Sequence, residues 1–229
     1  MERDLLIAQM FSRIARWYDF LNHFLSLGMD IYWRKKMVEC IEDPPEVVLD
    51  IATGTMDVAR LIQRRFPTAT LLGCDLSREM LKHGKTKVPP LLATVANAKY
   101  LPVKEESIDV VTIAFGVRNI IPRPQLYKEV YRVLKNRGSF IILEFASARE
   151  RIWFGIYNLY LERLLPLLGR LISRDKEAYS YLARTIKEFP RPEKLREELL
   201  ESGFSTAAYF PLSKGIVNIH LAKKISVTP

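Results

Sequence analysis

At 229 residues, 48% of them hydrophobic and 27% charged, the chain suits one α/β domain with an elaboration and is too short for two ordinary domains. The net charge of +9 is compatible with nucleic acid, an anionic membrane surface or a solvated basic exterior, but no polybasic run or zinc-finger spacing points to nucleic acid. Two cysteines, Cys40 and Cys74, leave no disulfide framework and no CxxC metal pattern, so no metal is expected and a reducing, cytoplasmic setting is.

The opening residues Met1 to Leu6 lack the basic-then-apolar layout of a signal peptide. Apolar positions at helical spacing run from Ile7 to Leu27, including Met10, Phe11, Ile14, Trp17, Phe20 and Phe24. A second helix is predicted over Ile31 to Ile41, before Pro44 and Pro45, so residues 1–43 form a helical lead. Strands and helices then alternate. Strand Val47–Ala52 precedes helix Asp57–Arg65; strand Thr70–Cys74 precedes a helix from Arg78 to about Lys85; a short strand covers Leu92–Ala96. Ile108 to Phe115 is a near-continuous apolar run of the kind buried on both faces of a parallel sheet. Helix Pro124–Leu134 and strand Ser139–Phe145 follow. The alternation predicts a doubly wound sheet of about seven strands.

The rhythm breaks at residues 149–190, a helical insertion rich in Trp, Tyr, Phe and Leu. Its most apolar stretch, Ile152 to Ser173, is interrupted by Glu162, Arg163 and Pro166, which argues against a membrane span. Helix Pro192–Ser202 and strands Ser205–Phe210 and Ile216–Ala222 close the domain.

The first strand runs into Asp50-Ile51-Ala52-Thr53-Gly54-Thr55-Met56-Asp57. An acidic residue on a strand, a glycine four later and a helix directly after make a nucleotide-binding turn. Gly54 lets the backbone approach a ligand, and the helix start offers N–H groups. The second strand ends at Asp75, about 20 residues past the turn, where a carboxylate accepts both ribose hydroxyls of an adenosine. The alternative is an Asp that caps the next helix. Asn97-Ala98 follows the third strand, where a backbone and amide pair is suited to an adenine edge. The GxGxxG dinucleotide fingerprint is absent.

These residues, with Tyr18-Asp19, Asn22, Trp33-Arg34 and the narrow block Thr112-Ile113-Ala114-Phe115-Gly116-Val117-Arg118-Asn119, resemble the demethylmenaquinone and 2-polyprenyl-benzoquinol C-methyltransferases over nearly the whole chain. The resemblance implies a class I methyltransferase, Rossmann-like fold and S-adenosylmethionine as cofactor, contacted by Thr55, Asp75, Asn97 and Ala98. It also implies a lipophilic quinol as substrate. Such families usually carry Gly-Thr-Gly where this chain has Gly54-Thr55-Met56, and an acidic residue at the position of Lys99. Met56 either crowds the methionine end of the cofactor or faces the sheet. If it crowds, a non-catalytic lipid-binding scaffold becomes the rival reading; the positive charge suggests a methyltransferase acting on RNA or another substrate as a second.

Methylating an aromatic carbon needs an electron-rich ring, which a quinol becomes as its hydroxyl, with a pKa near 10 as in tyrosine, loses its proton. Arg118 is expected to stabilise that developing phenolate and Asn119 to fix the hydroxyl; an Arg118 ion pair with Asp19 or Glu144 is the alternative. His23 is a lesser candidate base, and His220 reads as a core histidine. Trp153, Phe154, Tyr157, Tyr160, Leu164, Leu165, Leu168 and Leu171 are expected to line an isoprenoid channel, with Arg149, Arg151, Arg163, Arg170 and Arg174 at anionic lipid on the inner membrane face. A homodimer is left open.

Overall fold

The computed structural model describes residues 2–86, 91–146 and 176–225. Three helices lead the chain: α1 (Glu2–Ile14), α2 (Tyr18–Leu25) and α3 (Met29–Glu39). The single helix expected from Ile7 to Leu27 is therefore two. Between them the Trp17 N–H donates to the Ile14 carbonyl at 2.9 Å and the Tyr18 N–H to Ala15 at 3.4 Å, both across three residues. This tightened turn contains neither glycine nor proline, so the apolar spacing runs through it unmarked.

The remaining elements are β1 (Val47–Ile51), α4 (Asp57–Arg65), β2 (Thr70–Asp75), α5 (Arg78–Lys85), β3 (Leu92–Val95), β4 (Ile108–Ala114), α6 (Arg123–Val133), β5 (Leu134–Phe145), α7 (Lys176–Glu188), α8 (Pro192–Glu201), β6 (Thr206–Leu212) and β7 (Val217–Lys223). One seven-stranded sheet has the order β3-β2-β1-β4-β5-β7-β6, which is doubly wound as expected. The first five strands are parallel; β7 runs antiparallel between β5 and β6. β5 begins five residues earlier than Ser139, the expected start. Its register against β4 shifts between Ile108 and Val110, and Arg137, in the left-handed region at φ 69°, donates its N–H to the Lys224 carbonyl at 2.7 Å. The Asn136–Gly138 turn is thus a bulge held by the chain beyond β7.

Apolar side chains pack on both faces. Leu126, Tyr127 and Val130 of α6 meet Phe140, Leu195, Leu199 and Phe204 on one. Trp33, Met37 and Val38 of α3 meet Ile62, Leu81 and Leu143 on the other. β4 supplies Val111 and Ile113 to the first and Val110 to the second, which is why its sequence is apolar throughout. The described part of the expected 149–190 insertion is α7 and the residues after it. The aromatic, leucine and arginine positions named from Arg149 to Arg174 lie outside the described residues.

Met56 adopts a left-handed backbone at φ 67° and is fully buried. A side chain in that conformation costs about 1–2 kcal/mol, which explains why glycine suits the position. Its side chain fills the space beside α5: a Cβ added at Gly84 would lie 2.5 Å from Met56 Cγ and 2.8 Å from its Sδ. Met56 and Gly84 are therefore complementary. Gly84→Ala is expected to cost about 1–3 kcal/mol by overpacking, and markedly less in a Met56→Gly background. Denaturant melts of the double-mutant cycle check this; additive effects would contradict the contact.

Candidate cofactor cleft and active site

In a doubly wound sheet ligands bind beyond the carboxyl ends of the strands, where the strand order reverses. Here that point lies between β1 and β4. A cleft of about 740 Å³, including its open mouth, sits there. Its floor is Ala52 and Gly54 after β1, Asp75 and Leu76 after β2, Ala96, Asn97 and Ala98 after β3, and Phe115, Gly116, Asn119 and Ile120 after β4. Asp4, Ile7, Ala8 and Phe11 of α1 cover it, with Tyr18 of α2.

The backbone at the cleft is unusual. Ala52, Gly54 and Phe115 have φ of 51°, 53° and 56°. A Cβ at Gly116 would meet that of Ala52 at 2.9 Å. Left-handed non-glycine residues cost roughly 1–3 kcal/mol each and gather at ligand sites. The β1 and β4 ends thus expose main chain to whatever lies in the cleft.

Asp75 is held by main-chain donors. Its Oδ2 accepts the Gly54 N–H at 2.9 Å and its Oδ1 the Ser77 N–H at 2.8 Å. Burial pushes its carboxyl up, and backbone hydrogen bonds pull it partly back. Ser77, not Asp75, caps α5, accepting the Met80 N–H at 3.2 Å. Asp75 therefore faces the cleft with its geometry fixed from the glycine turn.

The other expected cofactor residues divide. Gly54, Asn97 and Ala98 line the cleft; Asp50 and Thr55 do not. Asp50 lies inside the sheet and accepts hydroxyl hydrogen bonds from Thr53 and Thr112, each at 2.6 Å. Burial raises its pKa to about 6. Its role is to brace the β1 turn against β4. Thr55 is buried and donates its hydroxyl to Asp19, joining α2 to the turn. Met56 stays out of the cleft. The Asn97 amide is engaged at both ends: Oδ1 accepts the Lys99 N–H at 3.0 Å, and Nδ2 donates to Asp4 Oδ2 at 3.2 Å.

Arg118, expected at the reacting ring, is instead paired with Glu144, the partner named as the alternative. Its Nη1 lies 2.6 Å from Glu144 Oε1 and 2.5 Å from the Phe115 carbonyl. Both side chains are buried, at 5% and 0% exposure, and neither lines the cleft. The pair locks the short turn Val117–Asn119 onto β5. Asn119 does face the cleft, and its Oδ1 accepts the Tyr181 hydroxyl of α7 at 3.0 Å. Tyr181 escaped sequence reasoning as a site residue because only the tertiary fold brings α7 to this turn. His23 bonds Asp30 at 2.7 Å, and neither lines the cleft. His220 is buried, and its pKa falls to about 4 by burial, as a core histidine's does.

A family model described as the ubiE/COQ5 methyltransferase family matches residues 2–224. The demethylmenaquinone methyltransferase of Thermotoga maritima is 40% identical over 219 residues, 95% of each chain. The ubiquinone/menaquinone biosynthesis C-methyltransferase UbiE of Geotalea daltonii is 38% identical over 231 residues, covering 97% of this chain and 98% of the relative. Among solved structures, an S-adenosylmethionine-dependent methyltransferase from Thermotoga maritima has a TM-score of 0.67 at 17% identity, covering 94% of this chain and 99% of that one. That likeness concerns the fold. The sequence match across the whole described fold, with the cleft at its switch point, makes this chain a member of the ubiE/COQ5 methyltransferase family.

Proposed function

We propose that this methyltransferase moves a methyl group from S-adenosylmethionine to a ring carbon of a polyprenylated quinol, a demethylmenaquinol or a demethylated benzoquinol. The observation that carries the reading is a single cleft lined both by the Asp75 carboxylate and by an apolar wall of Ile7, Phe11, Tyr18 and Ile120. The residues fit the cofactor: Asp75 for the ribose hydroxyls, and the Gly54 and Gly116 main chain for close approach. Met56, turned toward Gly84, gives no support to a decayed, non-catalytic turn.

S-adenosylmethionine supplies an electrophilic methyl on a sulfonium and departs as a neutral thioether. The protein must hold the quinol ring in line and stabilise its oxygen as the proton leaves. Asn119, on the cleft wall, would serve this. With the Tyr181 hydroxyl on its Oδ1, the amide would offer its Nδ2, a donor, to a substrate oxygen. Ring carbon to methyl carbon is the bond formed; the ring proton is lost afterwards to solvent, restoring the aromatic quinol.

Asn119→Ala is expected to lower kcat on the order of 100-fold, the usual loss for one oxyanion donor, while cofactor affinity holds. Steady-state kinetics beside calorimetry check both. The reading as a whole is tested by turnover of the reduced demethylquinol against its oxidised quinone. Only the quinol has the electron-rich ring, and equal turnover of the quinone would contradict it.

A membrane face is part of the proposal. Trp17, Phe20, Phe24, Leu27, Ile31 and Tyr32 are exposed along α2 and the start of α3, Leu27 by 90%. Arg13 of α1, Lys35 of α3 and Arg16 in the turn between α1 and α2 are exposed. Exposed aromatic and aliphatic side chains beside basic ones suit an anionic bilayer surface. Among the described residues no helix is long and apolar enough to cross a membrane. Flotation with vesicles containing phosphatidylglycerol is expected to carry the protein and to lose it in a Phe20→Ser, Phe24→Ser, Leu27→Ser variant. Unchanged flotation would remove this face from the proposal.

A further inference from the structure

Three segments far apart in sequence meet at one hydroxyl beside the cleft. Tyr181 of α7 is half-buried and donates its hydroxyl to Asn119 Oδ1, in the turn after β4, at 3.0 Å. Arg3 of α1 hydrogen-bonds the same hydroxyl. The helix puts it there: Asp4, Ile7, Ala8 and Phe11 line the cleft, and Arg3 stands one turn before Ile7 on that flank. Arg184, one turn along α7, lies over the Tyr181 ring at 5.7 Å. Burial pushes the Tyr181 pKa up, and Arg118, Arg3 and Arg184 pull it only partly back. The hydroxyl therefore keeps its proton and stays a donor.

The direction of these bonds follows from what each group can do. A guanidinium has donors and no acceptor, a hydroxyl can do both, and an amide has one end of each kind. Arg3 donates to the Tyr181 oxygen, and the Tyr181 O–H goes to Asn119 Oδ1. An asparagine amide has two similar settings about its last torsion. The reversed one would bring a carbonyl oxygen to the phenolate of a reacting ring, acceptor to acceptor. We propose that Tyr181 and Arg3 are positioning residues for methyl transfer, a donor relay from α1 through α7 that holds the Asn119 amide with Nδ2 toward the quinol oxygen. This rests on the reading that a quinol is methylated in the cleft. Hydrogen bonds in a chain polarise one another, so the Arg3 charge also makes Nδ2 a better donor as negative charge develops on the ring oxygen. Helix α1 thus both covers the cleft and heads the relay.

Steady-state kinetics of the full chain with S-adenosylmethionine and a reduced, short-chain demethylmenaquinol test the relay. Tyr181→Phe keeps the ring and removes the hydroxyl. Its kcat is expected to fall roughly 10-fold, about the worth of one hydrogen bond, while KM for the quinol and cofactor affinity hold. Arg3→Gln, which brings an acceptor to the head of the relay, should lower kcat about 3-fold. Arg3→Lys, again donor-only, should recover most of that loss. Neither Tyr181→Phe nor Arg3→Gln should add to the loss in an Asn119→Ala background, because both residues act through that amide. Thermal melts establish that each variant is folded at the assay temperature. Arg3 is exposed, so Arg3→Gln still decides the matter should Tyr181→Phe unfold. Undiminished kcat in either folded variant, or a full further loss in the Asn119→Ala background, would overturn this inference alone. No turnover of the quinol by the unaltered protein would overturn it together with the methylation reading.

Discussion

Replacing Asp75 with alanine is expected to weaken S-adenosylmethionine binding on the order of 100-fold or more, with the fold retained. Hydrogen bonds to charged groups contribute about 1.5–3 kcal/mol each, and a ribose offers this carboxylate two. The Gly54 and Ser77 N–H groups now aim Asp75 into the cleft at 2.9 and 2.8 Å, so little is lost in ordering it on binding. Asp75→Asn is the sharper comparison. It keeps the volume but brings an amide donor toward the Gly54 N–H, itself a donor, so it should disturb the turn as well as the ribose. Calorimetry gives the affinities, and a thermal melt separates lost contacts from lost structure. Undiminished binding in Asp75→Ala would place the adenosine elsewhere.

Arg118→Ala is expected to destabilise the protein by about 3–5 kcal/mol, the range for removing one partner of a buried pair. At about 2–4 °C per kcal/mol for a domain of this size, the melting temperature should fall by roughly 10 °C. The loss comes from Glu144, whose side chain is 0% exposed and would be left charged without its partner. Arg118→Ala combined with Glu144→Ala should therefore recover much of the stability. Catalysis then separates two roles. A positioning pair that braces Asn119 predicts that the double variant regains a good part of both kcat and melting temperature. An arginine that itself touches the ring predicts a stable but inactive double variant.

The succession of strands and helices and the residues at the strand ends were legible because they depend on local pattern. The apolar run Ile108–Phe115 announced a central strand, and the spacing from Gly54 to Asp75 pointed to the cleft at the strand ends. What escaped depends on contacts between distant segments. Asp50 and Asp75 both end strands beside the switch point, but only the fold shows that Asp50 faces Thr112 across the sheet while Asp75 opens to the cleft. Asn97 bonds Asp4, 93 residues earlier, and Arg118 pairs with Glu144, 26 residues later. Lys99, basic where an acidic residue is usual, was the available hint that a carboxylate, Asp4, arrives from elsewhere. Nothing in the local pattern marked the break between α1 and α2, although that turn puts Tyr18 in the cleft wall.

The central claim is that this cleft methylates carbon, and it is tested most directly by the position of the transferred group. Purified protein would be incubated with S-adenosylmethionine carrying a carbon-13 methyl and with a reduced, short-chain demethylmenaquinol, and the product read by NMR. A label bonded to the ring carbon, absent in Asn119→Ala on the same timescale, is the predicted result. A label on the hydroxyl oxygen, as a methyl ether, would contradict it.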